Sequence, residues 1–262
     1  MPIEFKDISD ADRWAGSDWM ITDPDDLARH IARIALGQYR HVAKILADTG
    51  ASTVDPHQTA FEGARSLLTS AQKDPWHRDG WVFQAISWIA AHLQSNGELI
   101  APPHMQHAGK GFDGLHLHID KSTNTITRAV ICEEKATENP RDTIRDDVWP
   151  EFADFETGAH DHRLVSEITQ LLETSPDLDT DTAIANVLWS KARAYRVSIT
   201  IGNAHNSEIG RARLFKNYEH HVCDDVLRRR AETCYQEDVR SWIVDIVTQS
   251  LAALDELEAA YV

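Results

Sequence analysis

The stretch GFDGLHLHIDKSTNTITRAVICEEKAT, residues 111–137, decides the fold expected for this chain. Apolar and polar residues alternate over 115–120, a turn sequence follows at 121–124, and a second strand is expected over 126–136. The middle of that second strand, residues 129–132, is apolar at both parities, which is typical of a strand covered on both faces. The stretch therefore predicts a β-hairpin whose second strand lies in the centre of a sheet.

Helical patterns dominate the chain on both sides of this hairpin. Apolar residues recur at helical spacing, and caps, glycines and prolines mark where helices begin and end. We predict helices over residues 24–50, 59–70, 81–95, 143–155 with a break at Pro150, 164–172 and 182–194, a strand over 195–201, and helical structure in the remaining chain. These elements predict an α/β fold with a central mixed β-sheet flanked by helices.

The domain organisation follows from length and from the lack of an obvious linker. A chain of 262 residues suits one large domain. We expect a single domain over 1–262, with a helical N-terminal part over about 1–78, a core over about 79–205 and a helical C-terminal part over about 206–262.

Composition narrows the classes of function. No stretch approaches the roughly eighteen apolar residues of a membrane span, and residues 1–14 lack a signal-peptide pattern, so we expect a cytoplasmic protein without a membrane partner. Cys132, Cys223 and Cys234 are too few and too scattered for a disulfide framework or a zinc clamp. The formal charge of -16 argues against nonspecific coating of nucleic acid, because such binding depends on Lys and Arg that neutralise phosphates.

One segment of this acidic chain, residues 191–230, is locally basic, with nine basic against four acidic residues. Such a patch could contact phosphates locally. The candidate nucleic-acid-binding residues are Lys191, Arg193, Arg196, Arg211 and Arg213. The three consecutive arginines at 228–230 are interpreted as a solvated helix face.

Charged residues end the buried strand abruptly, at Glu133-Glu134-Lys135. Because side chains alternate along a strand, Glu133 and Lys135 share one face and Glu134 points to the other. The hairpin brings Asp113 near the same end, so two carboxylates and a lysine should converge. Paired carboxylates bind hard cations such as Mg²⁺ or Mn²⁺, and a bound ion of this kind lowers the pKa of its water.

These residue types indicate a metal-dependent hydrolytic site. We expect Asp113 and Glu133 to bind the ion, with help from the backbone carbonyl of Glu134. Lys135 would orient the attacking water or stabilise charge in the transition state. The predicted catalytic residues are therefore Asp113, Glu133 and Lys135.

At these positions the sequence resembles the PD-(D/E)xK, or restriction-endonuclease-like, nuclease superfamily, whose signature is an acid on one strand and Glu/Asp-x-Lys on the next. Here the acid is Asp113 and the second element is the tripeptide at 133–135. The order of surrounding elements is similar over roughly 80–205. The resemblance implies a restriction-endonuclease-like core and a Mg²⁺-dependent endonuclease that acts on nucleic acid, DNA in preference to RNA. The chain departs from the pattern at Phe112, where proline is frequent, and has no clear acidic counterpart on the helix at 81–95.

A narrower resemblance concerns bacterial antiphage nuclease effectors, which include the Hachiman nuclease subunit that works with a helicase. It is carried by GFDGLHLHID and by the apolar strand that leads into EEKAT. It implies a role in antiviral defence and a protein partner such as a helicase or a sensor. Restraint by a partner would suit an acidic protein that should not bind DNA indiscriminately.

Other interpretations stay open on the sequence alone. His116, His118 and Asp120 reproduce most of the HxHxDH signature of metallo-β-lactamase-like hydrolases, so the strand face opposite Asp113 could bind Zn²⁺. Further ligands for such a zinc site would be His160, His162, His220 and His221. The acid–lysine cluster could also be a surface ion pair, or part of a catalytically inactive nuclease-like binding subunit.

Overall fold

A computed structural model describes residues 1–49, 57–69, 75–107, 112–120, 122–123, 125–173, 178, 180–189 and 192–261. The strands of this described part form one seven-stranded sheet. They are β1 (Ile3–Asp10), β2 (Trp14–Ile21), β3 (Leu99–Ile100), β4 (Gly114–Asp120), β5 (Thr125–Lys135), β6 (Arg193–Ile201) and β7 (Arg229–Tyr235).

The sheet is mixed, with the strand order β1-β2-β7-β6-β5-β4-β3. Strands β2, β7, β6 and β5 pair in parallel, whereas β1 pairs antiparallel with β2, and β4 pairs antiparallel with β5 and β3. All residues of β6 are buried, as are residues 129–134 of β5. The prediction of a hairpin whose second strand is central and covered on both faces is therefore confirmed.

Helices cover both faces of the sheet. They are α1 (Pro24–Ala35), α2 (Tyr39–Leu46), α3 (Gln58–Leu68), α4 (Trp76–Gln94), α5 (Pro140–Thr143), α6 (Trp149–Thr157), α7 (Asp161–Leu172), α8 (Thr180–Trp189), α9 (Glu208–Leu214), α10 (Tyr218–His221) and α11 (Val239–Tyr261). A π-helical turn, Ile144–Val148, joins α5 to α6. Within the described residues, no helix combines the length and apolarity that a bilayer crossing would need.

The two faces of the sheet carry separate apolar cores. On one face, Trp19 and Cys234 pack with α1–α4 and α11. We name this the α4 face. On the other face, Leu115, Ile131 and Val197 pack with the π-helical turn and with α6–α8, and we name it the α6 face. The expected α/β architecture of a mixed sheet flanked by helices is thus present.

The expectation of a wholly helical N-terminal part over 1–78 is wrong at residues 3–21, which form the β1–β2 hairpin. Asp, Ser and Gly interrupt the apolar alternation of these strands, so the period of two that marks a strand is hidden. Packing requires glycine at position 16, because a Cβ there would overlap the backbone carbonyl oxygen of Ala231 on β7. This close approach joins the hairpin to the rest of the sheet.

The helix expected over residues 24–50 is two helices, because Gly37 adopts a left-handed φ of 77° between α1 and α2. The predicted break at Pro150 lies at the first turn of α6, directly after the π-helical turn. Four residues of predicted ends and turns lie outside the described residues: Gly50, Ser70, Lys121 and Asn124.

The expectation of a wholly helical C-terminal part over 206–262 is also wrong, because β7 enters the sheet between β2 and β6. The arginine run at its start is not a solvated helix face. Arg228 and Arg229 are buried and donate to backbone carbonyls, and only Arg230 of the three is exposed. Buried arginines of this kind are indistinguishable from surface arginines in a hydrophobicity pattern, which is why the strand was missed.

Candidate active site

The predicted site lies where β4 begins and β5 ends. Gly114 pairs with Cys132, and the amide of Asp113 donates to the Cys132 carbonyl at 3.0 Å, so Asp113 precedes β4 directly beside the end of β5. The Glu134 amide donates to Asp113 Oδ2 at 2.8 Å. The antiparallel register of the hairpin therefore fixes the Asp113 carboxylate against β5.

Lys135 joins the two predicted metal-binding carboxylates. Its Nζ lies 3.1 Å from Asp113 Oδ2 and 2.6 Å from Glu133 Oε2. Because both oxygens contact one nitrogen, they can be no farther apart than these two distances combined. The three residues expected to converge are thus brought together, and we call them the acid–lysine cluster.

The acid–lysine cluster is partly open to solvent. The side chains of Asp113 and Lys135 are each 28% exposed, whereas that of Glu133 is only 5% exposed. Burial raises the pKa of Glu133, and the Asp113 charge adds to this effect while Lys135 opposes it. Burial also disfavours the Lys135 ammonium, but Glu133 and Asp113 outweigh that effect and raise its pKa. The Lys135 ammonium therefore stabilises the charged form of Glu133 against the effect of burial.

Glu134 points to the α4 face, as strand alternation predicts. Burial raises its pKa to about 8, and Oε2 of this carboxylate is buried without a hydrogen-bond partner in the described structure. The Ser87 hydroxyl on α4 opposes this rise in the pKa of Glu134, although it donates to the Ser198 hydroxyl at 3.2 Å. A Cβ on Gly114 would lie 3.7 Å from Glu134 Oε1, so this carboxylate is packed closely under the start of β4.

A cavity of about 350 Å³ opens beside the acid–lysine cluster. One wall is the first half of α4, and another is the carboxyl end of β5 with the π-helical turn. Asp113, Glu134 and Lys135 line it together with Asp147 of that turn. The cavity lies within the size range of small-molecule and cofactor sites.

Sequence reasoning did not single out Trp76 or Asp147, which both line this cavity. Trp76, the first residue of α4, is 65% exposed, and the Arg240 guanidinium lies 5.4 Å from the centroid of its ring. Asp147 is carried by the π-helical turn, a rare form that is frequent at functional sites. The exposed tryptophan had no sequence signal because the expected helix began at 81, and a π-helical turn has no sequence period of its own.

The basic residues predicted to bind nucleic acid are not gathered on one surface. Arg193, Arg196 and Arg211 are 7%, 2% and 8% exposed. Arg193 pairs with Asp161 at 2.7 Å, and Arg211 pairs with Asp18 at 2.6 Å. Burial of these three guanidinium groups argues against direct contact with phosphates.

Two members of that predicted patch remain. Arg213 is exposed on α9, and its role in nucleic-acid binding stays a prediction. Lys191 lies outside the described residues.

The histidines of the zinc alternative are held by separate neighbours. His116 is half-buried on the α4 face with Nε2 3.6 Å from Cys132 Sγ, whereas His118 Nδ1 lies 3.3 Å from Glu98 Oε1. Burial lowers the pKa of both imidazoles. In the described residues, no group of three or more His, Cys, Asp or Glu side chains is arranged to hold a metal ion. The acid–lysine cluster does not form such a group of three, because it contains two carboxylates, those of Asp113 and Glu133.

Comparisons with protein-family models, with curated proteins and with solved structures found no match for this chain.

Proposed function

We propose that this protein is a metal-dependent endonuclease of the PD-(D/E)xK type that hydrolyses phosphodiester bonds of nucleic acid, DNA in preference to RNA. The observation that carries the proposal is the convergence of Asp113, Glu133 and Lys135 from two adjacent strands, with Lys135 Nζ bonded to both carboxylates. The neighbouring cavity would give a phosphodiester access to this cluster. As part of the same proposal, we infer that the core of the protein has a restriction-endonuclease-like fold.

The donor chemistry of the cluster suits a hard divalent cation. Asp113 and Glu133 supply oxygen ligands, and they already share the positive charge of Lys135. Asp113 and Glu133 would hold Mg²⁺ or Mn²⁺, with the backbone carbonyl of Glu134 as a further oxygen. A bound ion of this kind lowers the pKa of water and stabilises charge on phosphate oxygens. Lys135 would then be free to orient the attacking water or to contact the phosphate.

The walls of the cavity fit a nucleotide substrate. Trp76 offers an exposed aromatic face on which a base could stack, and Arg240 lies against the same ring. The formal charge of -16 means that such contacts must be local. A partner such as a helicase or a sensor would therefore deliver DNA to the site, in a cytoplasmic system of bacterial antiphage defence.

The direct test is cleavage of circular single-stranded DNA and closed circular plasmid with Mg²⁺ or Mn²⁺. Asp113→Asn should reduce cleavage about 100-fold or more, because it removes a charged ligand of the ion. The matched control is Asp142→Asn on α5, whose side chain is 64% exposed and lies outside the cluster; it should cleave like wild type. Cleavage by Asp113→Asn at the rate of an active wild type would contradict the proposal.

A catalytically inactive nuclease-like binding subunit is the second candidate. It is favoured by the Lys135 ammonium between the two carboxylates, an arrangement that is complete without a metal ion. Titration with Mn²⁺ separates the two candidates. A wild-type protein that neither binds Mn²⁺ nor cuts either DNA would support the inactive subunit and remove the endonuclease proposal.

A further inference from the structure

Arg196 lies in the middle of β6, on the α4 face, and only 2% of its side chain is exposed. Its Nε, Nη1 and Nη2 atoms are buried and have no hydrogen-bond partner among the described residues. A guanidinium carries five N–H donors, and buried polar groups are nearly always hydrogen-bonded. This side chain therefore needs an acceptor that the surrounding protein atoms do not provide.

The nearest carboxylate cannot fill that role. Glu232 Oε1 lies 3.9 Å from Arg196 Nε, beyond hydrogen-bond distance, and accepts from Arg230 Nε. Glu232 Oε2 accepts from the Ser17 amide at 3.0 Å, from Trp19 Nε1 at 2.9 Å and from the Ser17 hydroxyl. Glu232 is therefore fully engaged. The Trp19 ring lies 5.4 Å from the guanidinium and stabilises it only by a cation–π contact.

A separate cavity of about 60 Å³ meets this guanidinium. By volume it holds roughly four water molecules, or one small anion, and it is too small for a nucleotide. The polar residues that line it are Arg196, Arg230, His116, His118, Gln94, Ser95 and Glu98.

The acceptors around this cavity are occupied or weak. Glu98 accepts from the Ser95 hydroxyl and the Asn96 amide, each at 2.6 Å, and faces His118 Nδ1. The Cys132 thiol borders the guanidinium, but sulfur is a weak acceptor. Glu134, whose Oε2 also lacks a partner, lines the larger cavity and not this one.

We propose that the cavity binds a small inorganic anion, of the size of chloride to phosphate, with the Arg196 guanidinium as its principal donor and Arg230 at its mouth. Water alone would satisfy N–H groups but would add no negative charge beside two arginines, Arg196 and Arg230, that share the single carboxylate of Glu232. Hydrogen bonds to an anion are charge-assisted and stronger. No residue that lines this cavity also lines the cavity beside the acid–lysine cluster, so the anion site is separate from that cluster and independent of the proposed function.

Thermal unfolding tests the site through its anion dependence. At constant ionic strength, chloride, bromide or phosphate should raise the unfolding midpoint of the wild type over that in gluconate, a larger organic anion. Above the dissociation constant, the rise should be roughly 3–5 °C for each tenfold increase in anion concentration. Arg196→Met should lose this dependence, whereas the exposed control Arg213→Met should keep it.

Crystals of the wild-type protein grown with sodium bromide provide a direct readout that no variant can confound. An anomalous bromide peak beside Arg196 is the expected result. Water alone at that position, or an anion dependence of unfolding that Arg196→Met retains in full, would overturn the proposal. If Arg196→Met does not fold, the bromide peak in the wild type decides.

Discussion

Two carboxylate–cation clusters occupy the same sheet, and their surroundings differ. In the acid–lysine cluster, Asp113 and Lys135 are each 28% exposed and border a cavity of about 350 Å³. In the second cluster, Glu232 on β7 is fully buried and accepts from Ser17, Trp19 and Arg230. The first keeps access to solvent beside a cavity, and the second has its hydrogen bonds satisfied inside the protein.

This difference teaches how to separate a functional from a structural ionic group. Both clusters contain acids and bases on adjacent strands, so residue type does not distinguish them. Glu232 joins β2 to β7 through its bonds to Ser17 and Trp19. The acid–lysine cluster joins β4 to β5 only at their ends, where the backbone pairing already holds the strands together. We therefore expect stability to depend on the Glu232 cluster and activity on the acid–lysine cluster.

The largest expected effect is on stability. Glu232→Ala leaves Arg230 and the donors of Ser17 and Trp19 without their buried acceptor, so the free energy of unfolding should fall by about 3–5 kcal/mol. Urea denaturation measures the change. Glu138→Ala, at an acid that is 61% exposed, is the matched control and should stay within about 0.5 kcal/mol of wild type. A Glu232→Ala protein as stable as the control would remove the contrast between the clusters.

The second effect is on activity. Lys135→Ala should reduce Mg²⁺-dependent DNA cleavage by roughly 10²–10³-fold, because it removes the cation expected to act on the transition state. Its Mn²⁺ affinity, measured by calorimetry, should equal or exceed that of wild type, since the carboxylates no longer share an ammonium. The exposed control Lys216→Ala should change neither property.

If Lys135→Ala cleaves DNA at a near-normal rate and does not bind Mn²⁺, the endonuclease proposal for the acid–lysine cluster is wrong. The double variant His116→Ala/His118→Ala sharpens the result, because both histidines lie on the α4 face. It should retain Mg²⁺-dependent cleavage. Loss of bound zinc and of all hydrolysis in that variant would instead favour the zinc hydrolase.

The smallest effect concerns substrate binding. Trp76→Ala should weaken binding of a single-stranded oligonucleotide by about 1–3 kcal/mol, because base–aromatic stacking contributes that much per base. Fluorescence anisotropy in EDTA measures binding without cleavage. Leu227→Ala removes another exposed apolar side chain, 60% exposed in the 3₁₀ turn before β7, and serves as the control. Equal affinities for the two variants would exclude Trp76 as a stacking surface.

Local patterns predicted the central hairpin and the cluster at its end. Strand alternation placed Glu133 and Lys135 on one face, and the antiparallel register brought Asp113 to them. These relations span about two dozen residues and depend on backbone geometry alone. The same reasoning failed for β1, β2 and β7. Polar residues of β2 and β7 are buried by partners far away in the chain, as in the contact of Ser17 with Glu232, whereas the polar residues of β1 are mostly exposed and interrupt its apolar alternation.

The arginine patch shows the limit of reasoning from charge. In the sequence, Arg193, Arg196 and Arg211 form a local excess of positive charge, which predicted a surface for phosphates. In the fold, Arg193 and Arg211 pair with Asp161 and Asp18, and Arg196 is enclosed between Trp19 and a small cavity. Net charge along a segment does not report exposure, because burial depends on which distant elements pack over it.

The sequence by itself determined the α/β class, the central hairpin and the convergence of Asp113 with Glu133 and Lys135, because each depends on short-range periodicity. The tertiary structure alone decided that Asp147 and Trp76 border the same cavity, and that Arg196 lies beneath α4 with no acceptor among the residues that the structure describes. These relations arise when helices and strands separated by many residues pack together. Packing of that kind is set by the shape and volume of the whole core and not by any local pattern.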